Sequence, residues 1–157
     1  MIAFDFDGTL IDQANRPNMV TISLLRRAIR QGLKVRIITS RDPAHECVSW
    51  RNQFEPRRLL VSEFLQSEEL PIQATYTNHR PKALAMQQLG TKLLFDNDPA
   101  EITAAQAVGL YGVLVDATLR ATQKDIRCGS CGWSVLFVGS RGCNCTVCGS
   151  ELNRKNQ

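Results

Sequence analysis

Apolar and polar positions fall into short blocks along the chain. Residues 2–10, Ile-Ala-Phe-Asp-Phe-Asp-Gly-Thr-Leu, open with an apolar run that stops at two carboxylates and a Gly-Thr pair. That pattern predicts a buried strand ending in a tight turn. Residues 11–18 are polar and read as a connection. Ile22, Leu25 and Ile29 then share a helical face, with Leu24 and Ala28 beside it, and Gly32 supplies a stop, so a helix is expected over 21–31. Residues 33–38 form a second apolar run, broken by Lys34 and Arg36. Asp42-Pro43 reads as an N-cap followed by proline at the first helical position, opening one helix that runs through His45, Cys47 and Trp50 toward Phe54. In residues 55–71 Pro56 breaks the helix, and Leu59-Leu60-Val61 fits a strand or part of a helix reaching Leu70. Strands are expected over 72–77, 92–95 and 113–115. Between them lie a helix opened by Pro81 and closed by Gly90, and one with Ile102, Ala105 and Val108 on a face and Gly109 at its end. Strands alternating with helices predict an α/β fold with a central parallel sheet flanked by helices.

The chemistry lies at the ends of these elements. Asp5 and Asp7 are costly inside a sheet unless paired or metal-bound. At the C-terminal end of a strand both can aim at one point, and open α/β sheets bind ligands there. Thr39 and Ser40 close the second strand, Lys82 opens a helix after the third, and Asp96 closes the fourth. Taken alone, a strand-end threonine usually satisfies local backbone, and a helical lysine is usually a solvated residue. Asp98, with Pro99 and Glu101, has the spacing of a capping box, Asp at N-cap and Glu at N3.

Asp5-Phe6-Asp7-Gly8-Thr9 matches the pattern Asp-x-Asp-Gly-Thr, and this stretch resembles the first motif of the haloacid-dehalogenase (HAD) superfamily of phosphotransferases. Thr39, with Ser40 as the alternative, fits the superfamily's second motif. Lys82 fits the third, with Arg80 as the alternative, and Asp96 fits the fourth. A common form of the fourth motif has two adjacent acids, whereas here Asn97 follows Asp96 and Asp98 comes next. The resemblance covers residues 1–116. It implies a Rossmann-like HAD core and an Mg²⁺-dependent phosphatase. In that reading Asp5 is the nucleophile that forms an aspartyl-phosphate, and Asp7 is the general acid and base. Thr39, Ser40 and Lys82 hold phosphate oxygens. Mg²⁺ is held by Asp5, Asp96 and the Asp7 backbone carbonyl, with Asp98 as an outer metal-site residue or a cap only. Helix starts near Asp42, Pro81 and Pro99 would add positive dipole ends. The connection between the first strand and the first helix is too short for a folded cap domain, so a near-capless member is expected, with residues 55–71 as the place for any small cover.

Composition changes the picture only toward the end of the chain. Residues 1–116 carry 13 Lys/Arg and 13 Asp/Glu, whereas residues 117–157 carry 6 against 2. Five of the six cysteines, Cys128, Cys131, Cys143, Cys145 and Cys148, fall in the same stretch. Cys128-Gly-Ser-Cys131-Gly and Cys145-Thr-Val-Cys148-Gly are two copies of a zinc-knuckle pattern, in which glycine allows the tight turn around thiolate sulfur. Residues 133–138 and the Gly-Ser-Arg-Gly turn at 139–142 read as a β-hairpin between them. The segment resembles a zinc ribbon, with Cys128, Cys131, Cys145 and Cys148 on a structural Zn²⁺ and Cys143 left over. The expected domains are a phosphatase core over 1–116, a linker over 117–126 with scope for a short helix, and a small β zinc ribbon over 127–157. Four thiolates around Zn²⁺ cancel part of the tail's positive charge, leaving a modest basic surface. No apolar run is long enough to cross a bilayer, and no signal peptide is read before the first strand, so a cytoplasmic protein is expected. The expected substrate is a phosphorylated molecule, first a nucleic-acid end, then a nucleotide or other small molecule, with a phosphoprotein as a further alternative, and a protein partner could dock through the ribbon. The rival reading is an idle HAD-fold scaffold that binds nucleic acid or protein through its ribbon.

Overall fold

The computed structural model describes residues 1–115 and, beyond them, two short strands. Backbone contacts divide the chain into two units, Met1–Ala117 and Thr118–Gln157. The first unit holds a five-stranded sheet, β1 (Ile2–Phe4), β2 (Val35–Thr39), β3 (Gln73–Tyr76), β4 (Leu93–Asp96) and β5 (Tyr111–Leu114). The spatial order is β3-β2-β1-β4-β5 and every neighbouring pair is parallel. The helices are α1 (Met19–Arg30), α2 (Val48–Phe54), α3 (Val61–Ser67), α4 (Lys82–Leu89) and α5 (Pro99–Ala107). The expected α/β fold with a central parallel sheet flanked by helices is the fold observed.

Register explains the two-sided core. Ala3 lies beside Arg36 and Leu94, whereas Phe4 lies beside Ile37 and Phe95. Successive strand residues face opposite sides. On one side Ala3, Ile38 and Leu94 pack with Met86 of α4 and Ala105 of α5. On the other, Phe4 stacks on Phe95 with ring centroids 4.7 Å apart. The short alanine leaves space for Met86 and Ala105, and the stacked rings fill the other side. In α1, Thr21, Ile22, Leu25 and Ala28 are buried, one face of a 3.6-residue period. Asn18 caps the helix by accepting from the Thr21 N–H, so α1 starts two residues before the apolar pattern does. Likewise β5 begins at Tyr111, two residues before the expected strand.

The segment after β2 differs from its expectation. Asp42 does cap, accepting from the Ala44 N–H, but the helix it opens is a three-residue 3-10 turn, Pro43–His45. Cys47 is extended (φ −132°, ψ 151°), and α2 starts only at Val48. The break coincides with Glu46, whose carboxylate is drawn inward to Arg41 (2.8 Å), Arg58 (3.2 Å) and the Val61 N–H (2.8 Å). A continuous helix through residue 46 would have to give up those charge-assisted bonds. Residues 61–67 resolve as helix rather than strand, with Val61 and Phe64 buried and Phe64 edge-on to Phe6.

In the second unit, β6 (Ile126–Arg127) pairs antiparallel with β7 (Ser134–Val135). The pairing brackets Cys128 and Cys131 in sequence. Those two cysteines, Cys143, Cys145, Cys148, the rest of the expected linker and the turn at 139–142 lie outside the described residues. Among the described residues, no helix is long and apolar enough to cross a membrane.

Candidate active site

The strand order places a switch point between β1 and β4, because the chain leaves β1 toward β2 on one side and later returns to add β4 on the other. Crevices at such points, outside the carboxyl ends of the strands, are where open α/β sheets take ligands. Asp5 follows the last residue of β1 and its N–H bonds the Phe95 carbonyl at 2.8 Å. Asp96 is the last residue of β4. Lys82, the first residue of α4, reaches between them: its Nζ lies 2.7 Å from Asp5 Oδ1 and 2.7 Å from Asp96 Oδ2. The two carboxylates therefore lie within twice that distance of each other. Asp5 and Lys82 are 3% exposed and Asp96 is 0% exposed, so two carboxylates share one ammonium out of water.

That arrangement leaves one buried negative charge in excess. Burial pushes the Asp5 carboxyl up to about 7, opposed by the Lys82 charge and reinforced by Asp96. Burial alone would lower Lys82, but Asp5 and Asp96 outweigh it and hold the ammonium above its usual range. The donors that remain are carboxylate and backbone oxygens. They fit a hard cation such as Mg²⁺, which takes oxygen ligands and keeps several waters. Among the described residues no three His, Cys, Asp or Glu side chains converge on one point. A cation here would rest on Asp5 and Asp96 and complete its shell with a backbone carbonyl and water.

Asp7 has a different partner. Its Oδ2 accepts from Arg41 Nε and its Oδ1 from Arg41 Nη2, both at 2.7 Å. Arg41 is itself buried, donates through Nη1 to Glu46 (2.8 Å) and the Leu59 carbonyl (2.7 Å), and lies over the Phe6 ring. Burial opposes the charge on Arg41, but Asp7 and Glu46 outweigh burial and raise its pKa. The turn after Asp7 is made by Gly8 at φ +79°, with the Asn97 side chain against it. Thr9 Oγ1 bonds Asn97 Oδ1 at 3.3 Å, tying the turn after β1 to the turn after β4.

Thr39 closes β2, fully buried, and its Oγ1 accepts from the Arg41 N–H at 3.3 Å. Its own hydroxyl proton has no acceptor among the described residues. Ser40 lines a cavity of about 660 Å³ together with Asp7, Arg41, His45, Arg57 and His79. Residues 55–58 form part of its wall. Arg80 is exposed, away from the Lys82 cluster's ion pairs, and its N–H bonds the Thr77 carbonyl.

Asp98 caps α5 through the Ala100 N–H at 2.8 Å. The second half of the expected capping box is not made. Glu101 instead accepts from the Lys82 N–H at 3.0 Å, capping the neighbouring helix, while the Asp98 N–H goes to Asp96 Oδ1 at 2.9 Å. A partner three residues away along the chain lost to one 19 residues away, because α4 and α5 pack side by side. The first N–H of α4, where a positive dipole end was expected, is thus taken by a carboxylate. Arg41, Glu46 and Glu101 are the site residues that the sequence reading missed. The only sequence signal for Arg41 was its place two residues beyond a strand-end threonine.

A model of the haloacid dehalogenase-like hydrolase family matches residues 2–54. The match includes Asp5, Asp7, Thr39 and Ser40 and stops before Lys82 and Asp96. It supports a hydrolase of the haloacid dehalogenase kind. Among solved structures, a chain of the Pnkp1/Rnl/Hen1 complex is similar over 73% of this chain and 45% of that one, at 18% identity and a TM-score of 0.48. The protein therefore spans less than half the length of that chain. No curated protein matches the sequence.

Proposed function

We propose that the protein is an Mg²⁺-dependent phosphohydrolase that works through an aspartyl-phosphate on Asp5. The observation that carries this reading is Lys82 Nζ at 2.7 Å from both Asp5 and Asp96 at the sheet's switch point. A lysine that neutralises only part of a buried carboxylate pair leaves negative charge that a bound cation would balance. When bound there, Mg²⁺ supplies charge that lets a phosphate dianion approach the carboxylates.

In the first step an Asp5 oxygen attacks phosphorus, the bond to the leaving oxygen breaks, and Asp7 delivers a proton to that oxygen. In the second, water attacks the aspartyl-phosphate, Asp7 takes the water's proton, and Asp5 is released with inorganic phosphate. Thr39 donates its free hydroxyl proton to a phosphate oxygen. Lys82 holds the charge that shifts between Asp5 and the phosphoryl group. Ser40, which lines the cavity, offers a second hydroxyl.

What supports a substrate class is the 660 Å³ cavity lined by Asp7, Ser40, Arg41 and Arg57. It has room for a leaving group of nucleotide size, so nucleotides and phosphorylated nucleic-acid ends are the substrates proposed. Cys128, Cys131, Cys145 and Cys148 are proposed to bind one structural Zn²⁺, on the strength of their spacing. A basic ribbon of this kind would offer a second contact to nucleic acid or a docking face for a protein partner.

The test is turnover of p-nitrophenyl phosphate, nucleoside monophosphates and 3′- or 5′-phosphorylated oligonucleotides with Mg²⁺. Asp5→Asn is expected to lower kcat by about three orders of magnitude or more while leaving the fold intact. Unchanged activity in that variant would refute the nucleophile assignment. Silence of the wild-type protein on the whole panel would favour the scaffold reading.

A further inference from the structure

We infer that Arg41 is the positioning residue for Asp7, holding its carboxylate where it can exchange a proton at the reacting phosphoryl group. The inference rests on the proposed phosphohydrolase reading, in which Asp7 handles that proton.

Three observations support it. The first is geometry. Arg41 grips Asp7 in a bidentate fork, Nε to Oδ2 and Nη2 to Oδ1, each 2.7 Å. Two parallel charge-assisted bonds fix the plane of a carboxylate as well as its place. The second is immobility of the arginine itself. Its Nη1 is spent on Glu46 and the Leu59 carbonyl, its N–H on Thr39, and its face on the Phe6 ring, with the centroid 4.6 Å from Cζ. Arg41 is 6% exposed, whereas the Asp7 side chain is 50% exposed. A half-exposed aspartate on a turn would otherwise rotate freely, so the order runs from the buried arginine to the exposed acid. The third is connection. Glu46 also bonds Arg58 and the Val61 N–H, and Arg58 lines the cavity, with Leu59 the next residue along the chain. Through Glu46, the hold on Arg41 and so on Asp7 is tied to a residue of the cavity wall, Arg58. Arg41 has little donor capacity left for a phosphate, which separates this role from direct substrate binding.

The experiment is a double-mutant cycle in the full-length protein, with phenyl phosphate and Mg²⁺, using Arg41→Lys, Asp7→Asn and the two combined. Lysine keeps the charge that Glu46 needs but cannot form the fork. Arg41→Lys is expected to lower kcat by about 10²-fold, the scale of general acid–base catalysis, with KM within about threefold of wild type. In the Asp7→Asn background the same change should have no further effect on kcat, because Arg41 would act only through Asp7. Losses that simply multiply would overturn the inference, as would a raised KM at unchanged kcat, which marks a phosphate ligand. Should Arg41→Lys fail to fold, Glu46→Gln replaces it in the cycle, with a smaller loss that also vanishes beside Asp7→Asn. Failure of the underlying reading looks different. It would appear as a wild-type protein with no phosphatase activity, or as Asp7→Asn turning over like wild type.

Discussion

At Gly8 the conformation and the packing make the same demand. The residue sits at φ +79°, and a Cβ there would lie 2.5 Å from Asn97 Nδ2. Gly8→Ala is expected to cost about 1–2 kcal/mol for the left-handed backbone, plus the displacement of Asn97 from its bond to Thr9. Urea denaturation measures the total, and adding Asn97→Ala should recover the packing part but not the backbone part. A neutral Gly8→Ala would mean the turn readily rearranges. At this scale the sequence was informative wherever a residue type is rare in its context. Carboxylates ending apolar runs singled out Asp5 and Asp96, and the structure brings both to one lysine. Arg41 gave no such signal, because an arginine beyond a strand looks like any surface cation until its burial is known.

Among the elements, α4 and α5 carry the clearest dependence. Lys82 opens α4, and its N–H is held by Glu101 from α5, so the register of one helix sets where the ammonium of the other begins. Glu101→Ala is expected to destabilise the protein by about 1 kcal/mol, the usual worth of an N-terminal cap, and to lower kcat more than it raises KM. Thermal denaturation and steady-state kinetics check the two halves. A stability loss with unchanged kcat would show that Lys82 is placed by its side-chain ion pairs alone. Element types and order could be read from apolar periodicity for all five strands and for α1, α4 and α5. The segment after β2 could not, because Glu46 interrupts the helix to serve partners at residues 41, 58 and 61. The capping box failed for the same reason: local spacing made the Asp98–Glu101 pair available, and packing offered Glu101 a better use.

Over the whole molecule, the unbalanced charge at Asp5 links stability to pH. In the metal-free protein the Asp5 carboxyl is raised to about 7 by burial, above its ordinary unfolded value. The folded state therefore holds this proton more tightly than the unfolded state does. The contribution is full below the unfolded value, near 4, and is lost as pH rises through about 7. Its size is on the order of a few kcal/mol. Chemical denaturation of the metal-free protein at a series of pH values should show this decline, and Asp5→Asn should flatten it. Mg²⁺ should raise the melting temperature more at pH 8 than at pH 5, since the ion competes with the proton for Asp5. An equal rise at both values would place the ion elsewhere. The tail makes a separate prediction: purified protein should contain about one zinc per chain, and chelation should unfold the second unit while leaving the melting of the first in place. Zinc bound equally well after replacing Cys128 and Cys148 by serine would exclude the proposed ligand set.

Apolar periodicity and the placing of carboxylates by themselves determined the strand–helix alternation, the parallel sheet and the strand ends where chemistry would gather. These are properties of neighbouring residues, and the backbone's two periods print them directly on the chain. Only the tertiary structure decided which polar groups meet. Lys82 between Asp5 and Asp96, Arg41 on Asp7 and Glu101 on α4 are matches between residues 14 to 77 positions apart. Buried charges take the partner that packing brings within reach, and no local pattern encodes that choice.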